Sequence, residues 1–172
     1  MATRGARGVD GATWQAGVMP TTLHPMDPDR FTDWIVSSQR EYAASLVSTG
    51  ESLEKAAAHA QRSSNESFPG GTPLPNHHVF DVVNNNTIVG YLWIGPLSNG
   101  ELDTWWIWDI QINAEHRGTG LGRATMALAE EAVTGFGGSS IGLNVFRYNT
   151  AALHLYESVG YETRSQRMFK AL

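Results

Sequence analysis

Two stretches of this 172-residue chain combine residue types that could do chemistry. The first is Arg117-Gly118-Thr119-Gly120-Leu121-Gly122. Before it lies a bulky, strand-forming run, Trp105-Trp106-Ile107-Trp108-Asp109-Ile110-Gln111-Ile112. After it lies a helix-forming run from Arg123 to Ala132. A glycine-rich turn between a strand and a helix cradles an anion. Glycine lets the backbone approach closely, several N–H groups converge at the helix start, and the positive end of the helix dipole adds to the attraction. The expected guest is a diphosphate. Spacing narrows the choice. A dinucleotide fingerprint, G-x-G-x-x-G, would need glycine where Arg123 stands. A nucleoside-triphosphate loop would need a lysine, and none follows these glycines. The second stretch, from Asn149 to Glu162, holds a helix-capping residue type, Asn149, and a phenol, Tyr156.

Arg117, Gly120 and Gly122 fit the pattern Arg/Gln-x-x-Gly-x-Gly/Ala, which resembles the acetyl-CoA loop of the GNAT (Gcn5-related) N-acetyltransferases. The second stretch resembles the other signature of that family, a strand followed by Asn-x-x-Ala-x-x-Leu-Tyr-x-x-x-Gly-Phe/Tyr. Asn149, Ala152, Leu155, Tyr156, Gly160 and Tyr161 stand at the matching positions. The resemblance is strong over residues 104–170, compatible over 77–103, and carries little before that. It implies an α/β fold with a mixed, mostly antiparallel central sheet, splayed central strands and helices on both faces. It implies acetyl-CoA as donor and a primary amine, on a small molecule or a protein, as acceptor. A homodimer is common among such proteins, and nothing in the sequence decides it.

On this resemblance the diphosphate sits on the amides around Arg117, Gly118, Thr119, Gly120, Leu121, Gly122 and Arg123, with two guanidinium groups nearby. The pantetheine arm runs beside Ile110, Gln111 and Ile112, with Asn149 and Ala152 on the following helix. An acyl transfer must hold a thioester beside an amine, stabilise the oxyanion and protonate the leaving thiolate. Tyr156 is the candidate acid, since a phenol near pKa 10 suits a thiolate. A tyrosine that merely packs is the structural alternative. Asp109 is the candidate base, because it is the one ionisable residue of the tryptophan-rich run. Asn144, on the next strand, cannot act as a base. Strict alternation would put Trp108 on the face opposite Asp109. A structural carboxylate at Asp109, or a water relay through Glu101 or Asp103, stays open. Trp34, Tyr42 and Trp105 are candidates for the wall of the acceptor site; the same aromatic residues could equally be core. A non-catalytic module that binds and senses acyl-CoA is the alternative function.

Several elements must position these groups. Asp27-Pro28 opens a helix whose apolar residues recur from Phe31 to Leu46, and Gly50 ends it. A second helix runs from Glu51 to about Ser67. The period then becomes two: a strand over His78–Val83, an asparagine turn, a partner over Thr87–Ile94, and a turn at Ser98-Asn99-Gly100. Strands at 140–146 and 161–170 flank a helix over 149–158, and a short strand is expected over Val18–Leu23. Residues 1–17 read as an N-terminal arm and 18–172 as one acetyltransferase domain. A net charge of −5 disfavours nucleic acid. Cysteine is absent, which excludes disulfides, thiolate metal sites and a catalytic cysteine. His77 and His78 are adjacent, so they point to opposite faces and do not share a metal. No apolar run reaches the roughly 20 residues that span a bilayer, so no membrane role and a cytoplasmic location are expected.

Overall fold

Among the described residues, a sheet of five strands carries two α-helices on each face. The computed structural model describes residues 20–98, 101–166, 168 and 170. The expected arm over 1–17, most of the Asn99-Gly100 turn and the side chain of Glu101 lie outside the described residues. In chain order the elements are β1 (Thr22–Pro25), α1 (Pro28–Ser48), α2 (Leu53–Ser67), β2 (His78–Asn84), β3 (Thr87–Ser98), β4 (Glu101–Ile112), α3 (Leu121–Gly135), β5 (Ser140–Leu143) and α4 (Thr150–Ser158). Strand order is β1-β2-β3-β4-β5. The first three pairings are antiparallel and β4–β5 is parallel.

Local chemistry explains most boundaries. Asp27 caps α1 by accepting from the Asp29 N–H at 2.8 Å, and Pro28 supplies the first-turn φ. Ser52 caps α2. Asn85 and Asn86 both take positive φ, as a two-residue hairpin turn requires, and join β2 to β3. On one face Trp34 of α1 meets Phe68, Tyr91 and Trp93 in an aromatic core. On the other, Leu92, Ile94, Trp105 and Ile107 pack against Met126, Ala129 and Val133 of α3. Burying each such large side chain contributes about 1.5–3 kcal/mol.

Three sequence expectations need correction. The first strand is Thr22–Pro25, and residues 18 and 19 are not described. The strand expected over 140–146 stops at Leu143. The described residues of 161–170 are irregular rather than a strand: after Tyr161, the run Glu162-Thr163-Arg164-Ser165-Gln166 is exposed and has no alternating apolar side to bury. The early stop of β5 matters most for the site. Pairing with β4 covers only Thr104 to Ile107. Among the described residues, 108–112 of β4 therefore have no strand neighbour on the β5 side.

Candidate active site

The glycine turn follows directly from this open end of β4. Gly118 and Gly120 have φ of +75° and +87°, a region that costs a residue with a Cβ about 1–2 kcal/mol. Gly120 is the N-cap of α3 and carries no side-chain cap. The first backbone bond at this end runs from the Ala124 N–H to the Gly120 carbonyl at 3.1 Å. The amides of Leu121, Gly122 and Arg123 are thus the orphan donors of a helix start. Thr119 Oγ1 donates to the His116 carbonyl at 2.6 Å. Arg117 Nε donates to the Ile112 carbonyl at 2.8 Å and ties the turn to the last residue of β4. A Cβ at Gly118 or Gly120 would meet no protein atom within 4 Å, so the space over the turn is open. A cleft of about 380 Å³, lined by Thr21, Asn84, His116 and the turn, flanks it.

Beyond their amides, Gly122 and the Arg123 side chain also fasten α4 to α3. A Cβ on Gly122 would come within 3.0 Å of Leu155 Cδ2, so this glycine lets α4 approach α3. The Arg123 guanidinium donates to the Ser158 carbonyl and Oγ at 3.2 and 2.8 Å, at the C-terminal end of α4. At its other end α4 is capped by Asn149, whose Oδ1 accepts from the Ala152 N–H at 3.2 Å.

A β-bulge aims the acid groups. Trp93 pairs with Asp109 but Ile94 pairs with Ile107, which leaves Trp108 as an extra residue of β4. Trp105, Ile107, Ile110 and Ile112 consequently all face the α3 core. Trp108, Asp109 and Gln111 face α1: Trp108 stacks on Trp93 and His77, Asp109 bonds Ser38, and Gln111 bonds Glu41. The expectation that Trp108 and Asp109 lie on opposite faces is therefore corrected, because the bulge breaks the alternation.

Asp109 Oδ2 accepts from Ser38 Oγ at 2.6 Å and from the Tyr91 hydroxyl at 3.1 Å. Burial pushes its pKa above the usual carboxylate value, and the nearby Glu41 adds to the rise. The bonds from Ser38, Tyr91 and the Ile110 amide pull the other way. Tyr156 is half-buried, borders the α3 core and lies near Tyr161, with ring centroids 6.1 Å apart. Burial raises its pKa, and so does the charge of Asp109. The two groups expected to move protons are thus in electrostatic reach of one another.

The other candidates fall elsewhere. Trp34 is 5% exposed within the aromatic core, edge-on to Tyr91. Trp105, at 1% exposed, belongs to the α3 core and stacks on Phe136, on the face away from Asp109. Tyr42 meets His59 of α2 edge-on, and burial, then Glu51, raises its pKa. Trp108, 41% exposed, is the tryptophan that lies open on the Asp109 face. His77 and His78 do point to opposite faces, one against Trp108 and the other against Phe136. Ser38, Glu41 and Tyr91 were not singled out from the sequence. One signal for the helix pair was available: Ser38 and Glu41 sit three residues apart, on one face of a helix.

The profile of the acetyltransferase (GNAT) family matches residues 39–161. The chain is 28% identical over 156 residues to YycN of Bacillus subtilis, named an uncharacterized N-acetyltransferase, spanning 90% of this chain and all of that one. It is 26% identical to YdgE, an uncharacterized N-acetyltransferase of the same organism, over 90% of this chain and 99% of that one. The crystal structure of YycN superposes with a TM-score of 0.81, covering 88% of this chain and 98% of that one. The aminoglycoside N-acetyltransferase AAC(6')-Iy, solved in complex with CoA, shares the fold at a TM-score of 0.56 and 13% identity, with 88% and 98% covered. No helix among the described residues is long and apolar enough to cross a membrane. Signature turn, parted strands and sequence relatives agree, and the chain belongs to the GNAT family of acyl-CoA-dependent N-acyltransferases.

Proposed function

We propose that the protein transfers the acetyl group of acetyl-CoA to a primary amine of a small molecule or a protein, with Asp109 as base and Tyr156 as acid. One coincidence carries this reading. An uncapped glycine turn follows the stretch of β4 that no described strand pairs, Asp109 lies on that stretch, and its charge reaches the Tyr156 phenol. When bound, acetyl-CoA supplies an acyl group activated as a thioester. The donors of residues 117–123 suit its diphosphate. The backbone of Ile110, Gln111 and Ile112 suits the amides of its pantetheine arm, with Asn149 and Ala152 at the start of α4. That an aminoglycoside acetyltransferase of this fold binds CoA supports the choice of donor.

Asp109 takes the proton of the incoming ammonium. Its raised pKa makes it a stronger base than a carboxylate in water. Tyr156 holds the proton for the departing sulfur. The two roles reinforce each other. The charge of Asp109 raises the pKa of Tyr156; once Asp109 is protonated that charge is gone, and the phenol becomes the better acid just after the amine has been activated.

Thermal unfolding with acetyl-CoA, followed by thiol release against a panel of primary amines, tests the proposal. Stabilisation together with thiol release for at least one amine is expected. Absence of stabilisation at saturating acetyl-CoA would refute the donor. Stabilisation with no release from any amine would leave an acyl-CoA-binding module.

A further inference from the structure

Among the described residues, Trp108 is the one tryptophan left exposed; Trp34, Trp93 and Trp105 are buried and Trp106 is half-buried. Tryptophan is heavily buried on average, so an open indole beside the site asks for a use. Its support is built from two further rings. Trp93 and His77 each stack on it with centroids 5.8 Å away and planes 27° apart. Those two rings lie 5.9 Å from one another, and Trp93 Nε1 donates to His77 Nδ1 at 3.1 Å. An imidazole whose Nδ1 accepts a hydrogen bond is neutral. Burial, then His78, also lowers the His77 pKa. Gly95 makes the room, since a Cβ there would lie 2.6 Å from the His77 ring. The three rings form an uncharged shelf whose exposed member is Trp108.

The shelf adjoins the base. Trp93 is the cross-strand partner of Asp109 in the β3–β4 register, and such partners have Cβ atoms about 4.5–5.5 Å apart. Trp108 precedes Asp109 in the chain and, through the bulge, shares its face. Asp109 itself is recessed, with Oδ2 held by Ser38 and Tyr91 at 2.6 and 3.1 Å. An ammonium that reaches this carboxylate leaves the rest of its molecule further out, where the open indole stands.

Resting on amine acetylation with Asp109 as base, we infer that Trp108 is the acceptor platform and that the acceptor is a primary amine carrying a flat, unsaturated ring a few bonds from its nitrogen. Neighbouring residues stand about 3.8 Å apart at Cα, which matches a spacer of about two or three bonds. The ring then stacks on the indole, offset or edge-on. A second ammonium is the rival occupant, because an indole face also attracts cations. The charges favour the ring. The shelf carries no carboxylate of its own. Glu41 is held by Gln111, three residues further along β4 and so roughly 10 Å from Trp108 along the strand.

The test uses the full chain, acetyl-CoA and three primary amines: phenylethylamine, cyclohexylethylamine and cadaverine. The first two share a spacer and differ in whether the ring is flat. Wild type is expected to favour phenylethylamine over cyclohexylethylamine by about two- to tenfold in kcat/KM, the advantage of aromatic geometry beyond burial. Trp108→Ala is expected to bring that ratio to about one, chiefly by raising KM for phenylethylamine, with KM for acetyl-CoA unchanged. Trp108→Phe keeps an aromatic face and is expected to retain a ratio above one. His77→Ala leaves the open face intact and is expected to lower the ratio by loosening its support. A wild-type ratio of one, or a ratio that Trp108→Ala leaves unchanged, overturns the platform while thiol release from the amines leaves the transferase standing. Preference for cadaverine, lost in Trp108→Ala, puts an ammonium on the shelf and overturns the ring. If neither these amines nor a wider panel release thiol, the transferase reading falls and the platform with it.

Discussion

Gly120→Ala separates what the turn does for folding from what it does for a ligand. At φ of +87° an alanine is strained by about 1–2 kcal/mol. Its Cβ meets no protein atom within 4 Å, so no steric cost within the free protein is added. For a chain of this size each kcal/mol lowers Tm by about 2–4 °C, so the free variant should melt about 2–8 °C below wild type. Gly137, just past the C-terminal end of α3, provides a matched control. Its φ is +88°, and its Cβ would also meet nothing within 4 Å. Gly137→Ala should lose a similar amount.

The two variants part company when acetyl-CoA is added. At one hundred times Kd a ligand stabilises the native state by about 2.7 kcal/mol, a rise of about 5–11 °C here. Gly137→Ala should show that full rise. In Gly120→Ala the methyl group occupies the open space over the turn. Loss of one N–H bond to a charged oxygen costs about 1.5–3 kcal/mol, which is at least tenfold in affinity. At the same ligand concentration the stabilisation then falls to about 1.4 kcal/mol or less, half the wild-type rise. Differential scanning fluorimetry over an acetyl-CoA titration reads both quantities. Equal ligand-induced rises in wild type, Gly137→Ala and Gly120→Ala would show that the turn does not hold the diphosphate.

Other outcomes follow from the same geometry. Tyr156→Phe should reduce kcat roughly 100-fold or more with acetyl-CoA affinity unchanged, as read by initial rates and thermal shift; wild-type kcat would remove its acid role. Asp109→Asn should abolish the acidic limb of the pH–rate profile, because the rate rises as Asp109 ionises. The same substitution should stabilise the fold at neutral pH. The folded pKa of Asp109 is raised, so below the unfolded value of about 3.9 the substitution is neutral, and as pH rises through the folded pKa the wild type loses stability that the variant keeps. Denaturant melts at pH 4 and pH 7 check the sign. Gly142→Ala should destabilise by about 1–3 kcal/mol, since its Cβ would lie 2.4 Å from the Trp106 ring across the β4–β5 pairing; an unchanged denaturation midpoint would refute that packing.

The parts of the site with local causes were legible in the sequence. The turn was read from glycines set between a strand and a helix, and Gly118 and Gly120 there take positive φ, which glycine adopts without strain. The capping role of Asn149 follows from side-chain chemistry alone. What escaped was set by pairing over long sequence separations. Strict period two puts Trp108 and Asp109 on opposite faces, whereas the bulge puts them on one. A trace of it was present: apolar residues occupy 105 and 107, then 110 and 112, so the alternation changes phase between Ile107 and Ile110. Without that phase change, Asp109 and Gln111 would enter the α3 core and two isoleucines would leave it. Ser38 meets Asp109 across 71 positions, and no local pattern announces such a meeting. The expected last strand failed for the opposite reason: its residues had no tertiary surface to repay an extended conformation.

The short reach of β5 has a consequence beyond catalysis. Sheets usually keep bare backbone at their rims, where a stray peptide can add itself. Here the bare stretch is residues 108–112 of β4, past the end of its pairing with β5, and no described strand completes it. A slim extended guest that lies down there finishes the sheet. Occupancy and foldedness then become the same variable, and the lifetime of the protein against proteases should rise and fall with the supply of its acyl donor.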